Sequence, residues 1–309
     1  MTDLDRTERA LPWLDQRTRW VLAAAVVVAV ALAATASNSI LTALDAVILG
    51  AVEGITEFLP ISSTGHLLVT ERLLDLGNGT TKTATDTYTV AIQLGAILAV
   101  VAIYRTHIAA MTRGLLGRDR EGLRLVQLLA IAFVPAAVVG LALDNTIKAH
   151  LFGMWPVITA WTVGGVFLLL WKPGTGSTGL GQITYRHAAI IGSAQVLALW
   201  PGTSRSLVTI AAALALGLTA TAAVEFSFLL GLITLTAATA LDVTKNGREL
   251  IDQFGLATPA LGALVAAITA AVAVAWFVDY LRTRPLTLFG WYRLAIAAIA
   301  VALLAIGQI

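Results

Sequence analysis

The chain alternates long apolar runs with short polar breaks, and the run lengths predict the elements. Residues 1–19 are polar and mixed in sign, and an apolar run follows from Trp20 to about Ala36. That run predicts a retained N-terminal helix, the alternative being a leader cleaved at the small-x-small sequence Ala34-Thr35-Ala36. Residues 41–58 and 66–74 are apolar but short for a bilayer core of about 30 Å, which takes some 20 helical residues. A Pro60-Ile61-Ser62-Ser63-Thr64-Gly65 break stands between them, so the pair predicts a re-entrant hairpin of two half-helices. Such broken backbone is tolerated at membrane depth only inside protein or along a cavity. Spans are predicted at about 88–104, 123–143 and 155–171, with Pro135 kinking the second, and loops at 77–86 and 172–181.

The order then recurs. A short apolar run at 188–200 is broken by Pro201-Gly202-Thr203-Ser204-Arg205-Ser206 and resumes at 207–218, and spans follow at about 221–241, 257–281 and 289–307. Superposed, Gly50 matches Gly192, Glu53 matches Gln195, Pro60 matches Pro201 and Ser63 matches Ser204, with one residue of slippage. The expected organisation is a tail and extra helix over 1–40, then a membrane-embedded domain over 41–309. That domain divides into repeats of about 41–171 and 187–309, each a broken-helix hairpin plus three transmembrane helices.

Composition and charge sharpen this picture. Hydrophobic residues make up 58% of the chain and charged ones 12%, about half the share in soluble domains. The runs are continuously apolar instead of alternating, which selects an all-α polytopic membrane protein over a β-barrel. With no cysteine, disulfide, thiolate and iron–sulfur chemistry are excluded. The 105–124 loop carries Arg105, Arg113, Arg118, Arg120 and Arg124 against Asp119 and Glu121, which places it in the cytoplasm. Counting spans from there puts the basic 172–187 and 282–293 loops inside as well. An odd number of spans per half then inverts the second repeat against the first, so that the two breaks meet near the midplane and form a site.

The polar residues inside the breaks describe that site. Glu53 and Glu57 lie one helical turn apart in an apolar run, where an embedded carboxylate costs about 2.5–3.5 kcal/mol, and a cation is their expected partner. Ser62, Ser63 and Thr64 stand at a helix start, where free N–H groups favour an anion. His66 follows as a base, acid or nucleophile. The second break adds Ser204, Ser206, Thr209 and Arg205, whose planar fork suits a phosphate. Metal-binding carboxylates, anion-binding amides, an arginine and a nucleophile–base pair together describe phosphoryl transfer, here on a lipid-linked phosphate.

At these residues the chain resembles the undecaprenyl-diphosphate phosphatase family, also called the bacitracin-resistance protein family. Glu53 and Glu57 meet its (Glu/Gln)-x3-Glu signature, and Ser62 to His66 meet the Ser-Ser-Thr-Gly-His run that follows. Pro201, Gly202, Ser204, Arg205, Ser206 and Thr209 meet its Pro-Gly-x-Ser-Arg-Ser-x-x-Thr signature. The resemblance covers about 41–309; the run at 20–36 is the departure. It implies hydrolysis of undecaprenyl diphosphate to the monophosphate and resistance to bacitracin. It also implies a divalent cation, Mg2+ or Ca2+, and a site opening to the outer face of the cytoplasmic membrane. The expected roles are Ser63 as nucleophile activated by His66, Glu53 and Glu57 holding the cation, and Arg205 clamping the diphosphate. Ser62, Thr64, Gly65, Gly202, Ser204, Ser206 and Thr209 are expected to bind substrate. Attack by His66 or by water is the alternative. The partners expected are a polyprenyl diphosphate and the bilayer, with no nucleic acid; a homodimer is left open. The rival is a polyprenyl-phosphate flippase or ion-coupled transporter with the same midplane site, since inverted repeats with broken helices are also carrier architecture. A carrier needs no Ser63/His66 pair beside a phosphate clamp.

Overall fold

The computed structural model describes residues 28–29, 31–33, 41–76 and 82–309. Within the predicted N-terminal helix only 28–29 and 31–33 are among these, and they are helical; the rest lies outside the described residues. Over the described residues from 41 onwards the protein is helical and multi-pass. The first hairpin is α1 (Ala43–Thr56) and α2 (Ser63–Leu73). It is followed by α3 (Lys82–Ile103), α4 (Arg105–Leu115), α5 (Arg120–Leu151) and α6 (Met154–Leu170). The second hairpin is α7 (Tyr185–Gln195), a 3-10 turn (Val196–Leu199) and α8 (Arg205–Ala215), followed by α9 (Ala220–Phe254), α10 (Ala257–Thr283) and α11 (Thr287–Ala305). Among the described residues five helices are long and apolar enough to cross a bilayer, α3, α5, α9, α10 and α11, while α6 is a shorter apolar helix.

The starts of these helices follow from the sequence. Thr42 caps α1 reciprocally with Asp45, the Thr42 hydroxyl accepting from the Asp45 N–H at 3.2 Å and the Asp45 carboxylate from the Thr42 N–H at 2.9 Å. Asp119, Thr184 and Thr219 cap α5, α7 and α9.

Four expectations are corrected. The basic 105–124 stretch is not a loop: α4 occupies most of it and folds back on α5, where Gly114 leaves no room for a Cβ (2.2 Å from the Leu123 nitrogen). Residues 242–256, left between the spans predicted at 221–241 and 257–281, are not a loop but a continuation of α9, because Leu250 and Phe254, one turn apart, bury against Leu41, Tyr88 and Leu261. Most of 144–154, left between the spans predicted at 123–143 and 155–171, likewise continues α5, which runs unbroken through Pro135. The 282–293 loop shrinks to Arg284–Leu286, so Arg293 lies within α11 and is fully buried.

Each hairpin packs chiefly on a long helix of the other half: α1 on α10, and α7 on α5. The helix backbones approach through small residues, as in membrane bundles generally. A Cβ on Gly50 would stand 2.4 Å from the Gly262 carbonyl oxygen, one on Gly95 1.8 Å from that of Ala263, and one on Gly192 2.3 Å from that of Ala132. Gly95→Ala is therefore expected to destabilise the protein by about 1–3 kcal/mol through overpacking. Thermal unfolding in detergent checks this against Gly174→Ala, which has open space around it and leaves the midpoint unchanged.

Candidate active site

The breaks of the two hairpins meet, and their backbones share one conformation. Ser62 precedes α2 with φ 73° and ψ 102°, and Ser204 precedes α8 with φ 75° and ψ 114°. Among the described residues only one other non-glycine, Asp75, has a positive φ. A side chain held there costs about 1–3 kcal/mol and persists only when its surroundings impose it. The sequence superposition is thereby corrected by one residue at the break. Ser62, not Ser63, is the counterpart of Ser204, and Arg205 occupies in the second half the position of Ser63 in the first.

The carbonyls freed by the first break are each engaged. Leu59 O accepts from the hydroxyls of Ser206 at 2.8 Å and Ser204 at 3.3 Å. Pro60 O accepts from Arg293 at 3.2 Å, and Ile61 O from the Trp161 indole at 2.9 Å. Ser62 O faces Nδ1 of His66 at 2.7 Å; because a carbonyl only accepts, that nitrogen carries the proton. Nε2 of His66 is then the acceptor for the Tyr292 hydroxyl at 2.9 Å, with the two rings stacked. His66 is thus held by Ser62 and Tyr292, not by Ser63.

Ser63 instead donates to Oε2 of Glu57. Oε1 of the same carboxylate accepts from Nη2 of Arg205 at 3.1 Å, a buried ion pair joining the hairpins. The other end of the guanidinium, Nη1, donates to Ser227 O at 2.9 Å, and the group lies 5.6 Å from the Phe58 ring centre. Gly231 makes this possible, since its Cβ would fall 2.1 Å from Nη1. Glu53, one turn before Glu57, is wholly buried and neither carboxylate oxygen has a hydrogen-bond partner; Nε of Arg205 is likewise without an acceptor.

Of the expected substrate-binding residues, Ser62 and Thr64 stand at the start of α2, where Ser62 makes no side-chain cap and so leaves the first N–H groups open. The Ser204 hydroxyl caps the Leu207 N–H at 3.3 Å and contacts the Ser206 hydroxyl at 3.0 Å. Thr209 is tied to the Arg205 carbonyl at 2.8 Å and the Ser227 hydroxyl at 2.7 Å. These three hold the second hairpin in place. Gly65 gives way to the Trp161 ring, which a Cβ would meet at 2.6 Å. Gly202, at φ 93°, would put a Cβ 2.8 Å from the Val157 carbonyl oxygen.

Tyr292, Trp161, Ser227 and Arg293 were not singled out from the sequence. For Arg293 a signal existed: a charge inside a predicted span marks a functional position.

The arrangement leaves two acceptors on Glu53, one donor on Arg205 and an open helix start around a hydroxyl already bonded to a carboxylate. Acceptors suit a cation, donors suit an oxyanion, and a polarised hydroxyl suits nucleophilic attack. Comparison with known proteins agrees with this chemistry. The family described as "Bacitracin resistance protein BacA" matches residues 46–299. A protein of Sorangium cellulosum named undecaprenyl-diphosphatase is 46% identical over 263 residues, covering 82% of this chain and 84% of that protein. Undecaprenyl-diphosphatase 2 of Rhodospirillum rubrum is 44% identical over 84% of this chain and 94% of its own length. An undecaprenyl-diphosphatase of Nitrobacter hamburgensis is 41% identical over 86% and 98% respectively.

Proposed function

This chain belongs to the bacitracin resistance protein BacA family, and we propose that it hydrolyses undecaprenyl diphosphate to undecaprenyl phosphate and inorganic phosphate. It thereby recycles the carrier lipid of cell-wall synthesis and confers resistance to bacitracin. The observation that carries the reading is the Ser63–Glu57–Arg205 chain across the two breaks, set beside the unpartnered Glu53.

In this reading the terminal phosphate lies at the open start of α2. Its charge is met by the first N–H groups of the helix and by the free Nε–H of Arg205. The Ser63 oxygen forms a bond to the terminal phosphorus while its proton passes to Glu57. The bridging P–O bond breaks, and undecaprenyl phosphate leaves with the electron pair. Water then attacks the phosphorus of the phosphoserine; as the Ser63 O–P bond breaks, Ser63 recovers the proton held by Glu57, Glu57 takes one from the attacking water, and phosphate is released. This assigns the role of base to Glu57 in place of His66. His66 instead fixes the Ser62 carbonyl and so aims the turn that carries Ser63.

Glu53 fits a divalent cation, Mg2+ or Ca2+, because a buried carboxylate with two unpartnered oxygens is otherwise an uncompensated charge. Glu57 is already engaged by Arg205 and Ser63, so Glu53 is the carboxylate that would hold the ion. When bound, the ion supplies charge neutralisation at the diphosphate. The halves are read as inverted repeats, with the site opening to the outer face of the cytoplasmic membrane; the exchange of hairpins between halves supports the symmetry, and the arginines around α4 support the side.

The test is phosphate release from undecaprenyl diphosphate by the purified protein. EDTA is expected to lower the rate by about a hundredfold, excess cation to restore it, and Glu53→Gln to raise the cation concentration required. Full activity in EDTA overturns the cation assignment. No release from folded protein with any cation overturns the hydrolase, and lipid flipping is then the activity to assay.

A further inference from the structure

Arg293 belongs to no part of the chemistry above, yet it is among the largest fully buried side chains of the protein, at 0% exposure. Among the described residues it has no carboxylate partner within ion-pair distance; its bonds run to four backbone carbonyls. Nε donates to Trp161 O at 3.4 Å and Nη1 to Pro60 O at 3.2 Å, and Nη2 is shared between Ala160 O at 2.7 Å and Gly202 O at 2.8 Å. Pro60 and Gly202 lie two residues before Ser62 and Ser204, so the guanidinium grips the equivalent carbonyl of each break. Space for it is built in: a Cβ on Gly164 would stand 2.5 Å from Nη2.

From this geometry we infer that Arg293 is a positioning residue that clasps the two hairpin breaks to each other and so sets Arg205 against Glu57 and Ser63. The two breaks have no helical hydrogen bonds of their own to fix their spacing. The direct ties between them are the Glu57–Arg205 pair and the Ser204 and Ser206 hydroxyls on Leu59 O. All of these run between the end of α1 and the start of α8. Arg293 adds a tie from α11 and joins α6 to both breaks through Ala160 and Trp161. Only a planar, forked cation reaches four carbonyls pointing from three directions; a lysine ammonium is a point charge with three donors on a flexible stem.

The kinetic part of this inference rests on the phosphatase reading, and the structural part does not. The test therefore measures both. Because the chain has no cysteine, spin labels at Ile55→Cys and Leu197→Cys, both exposed positions beside the two breaks, report the spacing directly by pulsed dipolar spectroscopy. In this background a single narrow distance is expected, broadened by Arg293→Lys and by Arg293→Met. In Arg293→Lys kcat falls about a hundredfold, as for a misplacement near 1 Å, while KM changes less than threefold. Lysine keeps the buried charge and most of the volume, so this variant decides the matter if Arg293→Met does not fold. An unchanged distance distribution in Arg293→Lys overturns the clasp, and broadening with unchanged kcat overturns the positioning role. If the unsubstituted protein releases no phosphate, the phosphatase reading fails and the distance alone judges the clasp.

Discussion

Replacing Glu57 with Gln is expected to lower kcat for phosphate release from undecaprenyl diphosphate by about a thousandfold, the range in which loss of a positioned proton acceptor falls. The carboxylate performs two tasks at once. It accepts the Ser63 hydroxyl on Oε2 and neutralises Arg205 through Oε1 at 3.1 Å. A glutamine offers one acceptor and one donor, so its NH2 faces either the serine hydroxyl or the guanidinium, and neither match is sound. Removing one member of a buried ion pair also leaves an uncompensated charge, at about 3–5 kcal/mol. Stability must therefore be followed beside the kinetics, by thermal unfolding in detergent. Ser63→Ala is expected to match the loss, and the double variant to be little worse than either, because groups that act as a unit are not additive. If the double variant shows the product of the two losses, Glu57 and Ser63 act separately. Turnover by Ser63→Ala close to that of the unsubstituted enzyme makes water the attacking group and leaves Glu57 as its base.

What the sequence made legible was whatever depends on run length and local chemistry. Six apolar runs gave six helices, and two short runs around Pro60 and Pro201 gave two hairpins, because bilayer thickness sets one scale and backbone satisfaction forbids open breaks in lipid. Glu57, Ser63 and Arg205, which the structure bonds together, stand out in the sequence for the same reason: each is polar where polarity is costly. What failed depended on tertiary partners. The arginine-rich stretch of α4 reads as a loop because what holds it, the close backbone approach of Gly114 to Leu123 and of Gly122 to Ala110, lies between α4 and the first turn of α5. The extension of α9 carries enough charge to resemble a loop, while Leu250 and Phe254 anchor it against Tyr88 and Leu261. His66 and Tyr292 are 226 residues apart, and nothing in either neighbourhood announces the bond. Adjacency in sequence suggested that His66 serves Ser63; the ring is instead bonded to the Ser62 carbonyl and to the Tyr292 hydroxyl of α11. The repeat register slipped because side-chain identity aligned Ser63 with Ser204, whereas backbone conformation pairs Ser62 with Ser204. With the register corrected, the division of labour is visible: one backbone turn presents a hydroxyl beside a carboxylate in the first half and a guanidinium in the second.

That division sets the second large effect, at Arg205. Arg205→Ala is expected to lower kcat/KM by about 10^4 and Arg205→Lys by about 10^3, in the range reported for phosphoryl-transfer arginines. A lysine would keep the charge, yet the site is cut for a fork. Nη2 lies on Glu57 and Nη1 on Ser227 O, Nε has no acceptor, and the plane rests near Phe58 over a glycine floor. One ammonium meets one of those partners at a time. Gly231→Ala separates this geometry from charge, because it leaves Arg205 in the chain and only raises the floor, with a Cβ 2.1 Å from Nη1. It is expected to lower kcat/KM by about a hundredfold by displacing the guanidinium. The measurement is kcat/KM of the three variants in detergent, with helical content followed by circular dichroism. If Arg205→Lys stays within threefold of the unsubstituted protein, charge alone holds the diphosphate and the fork has no part in it. If Gly231→Ala alone is silent, the guanidinium finds its place without the floor, and the clamp tolerates more freedom than its close packing implies.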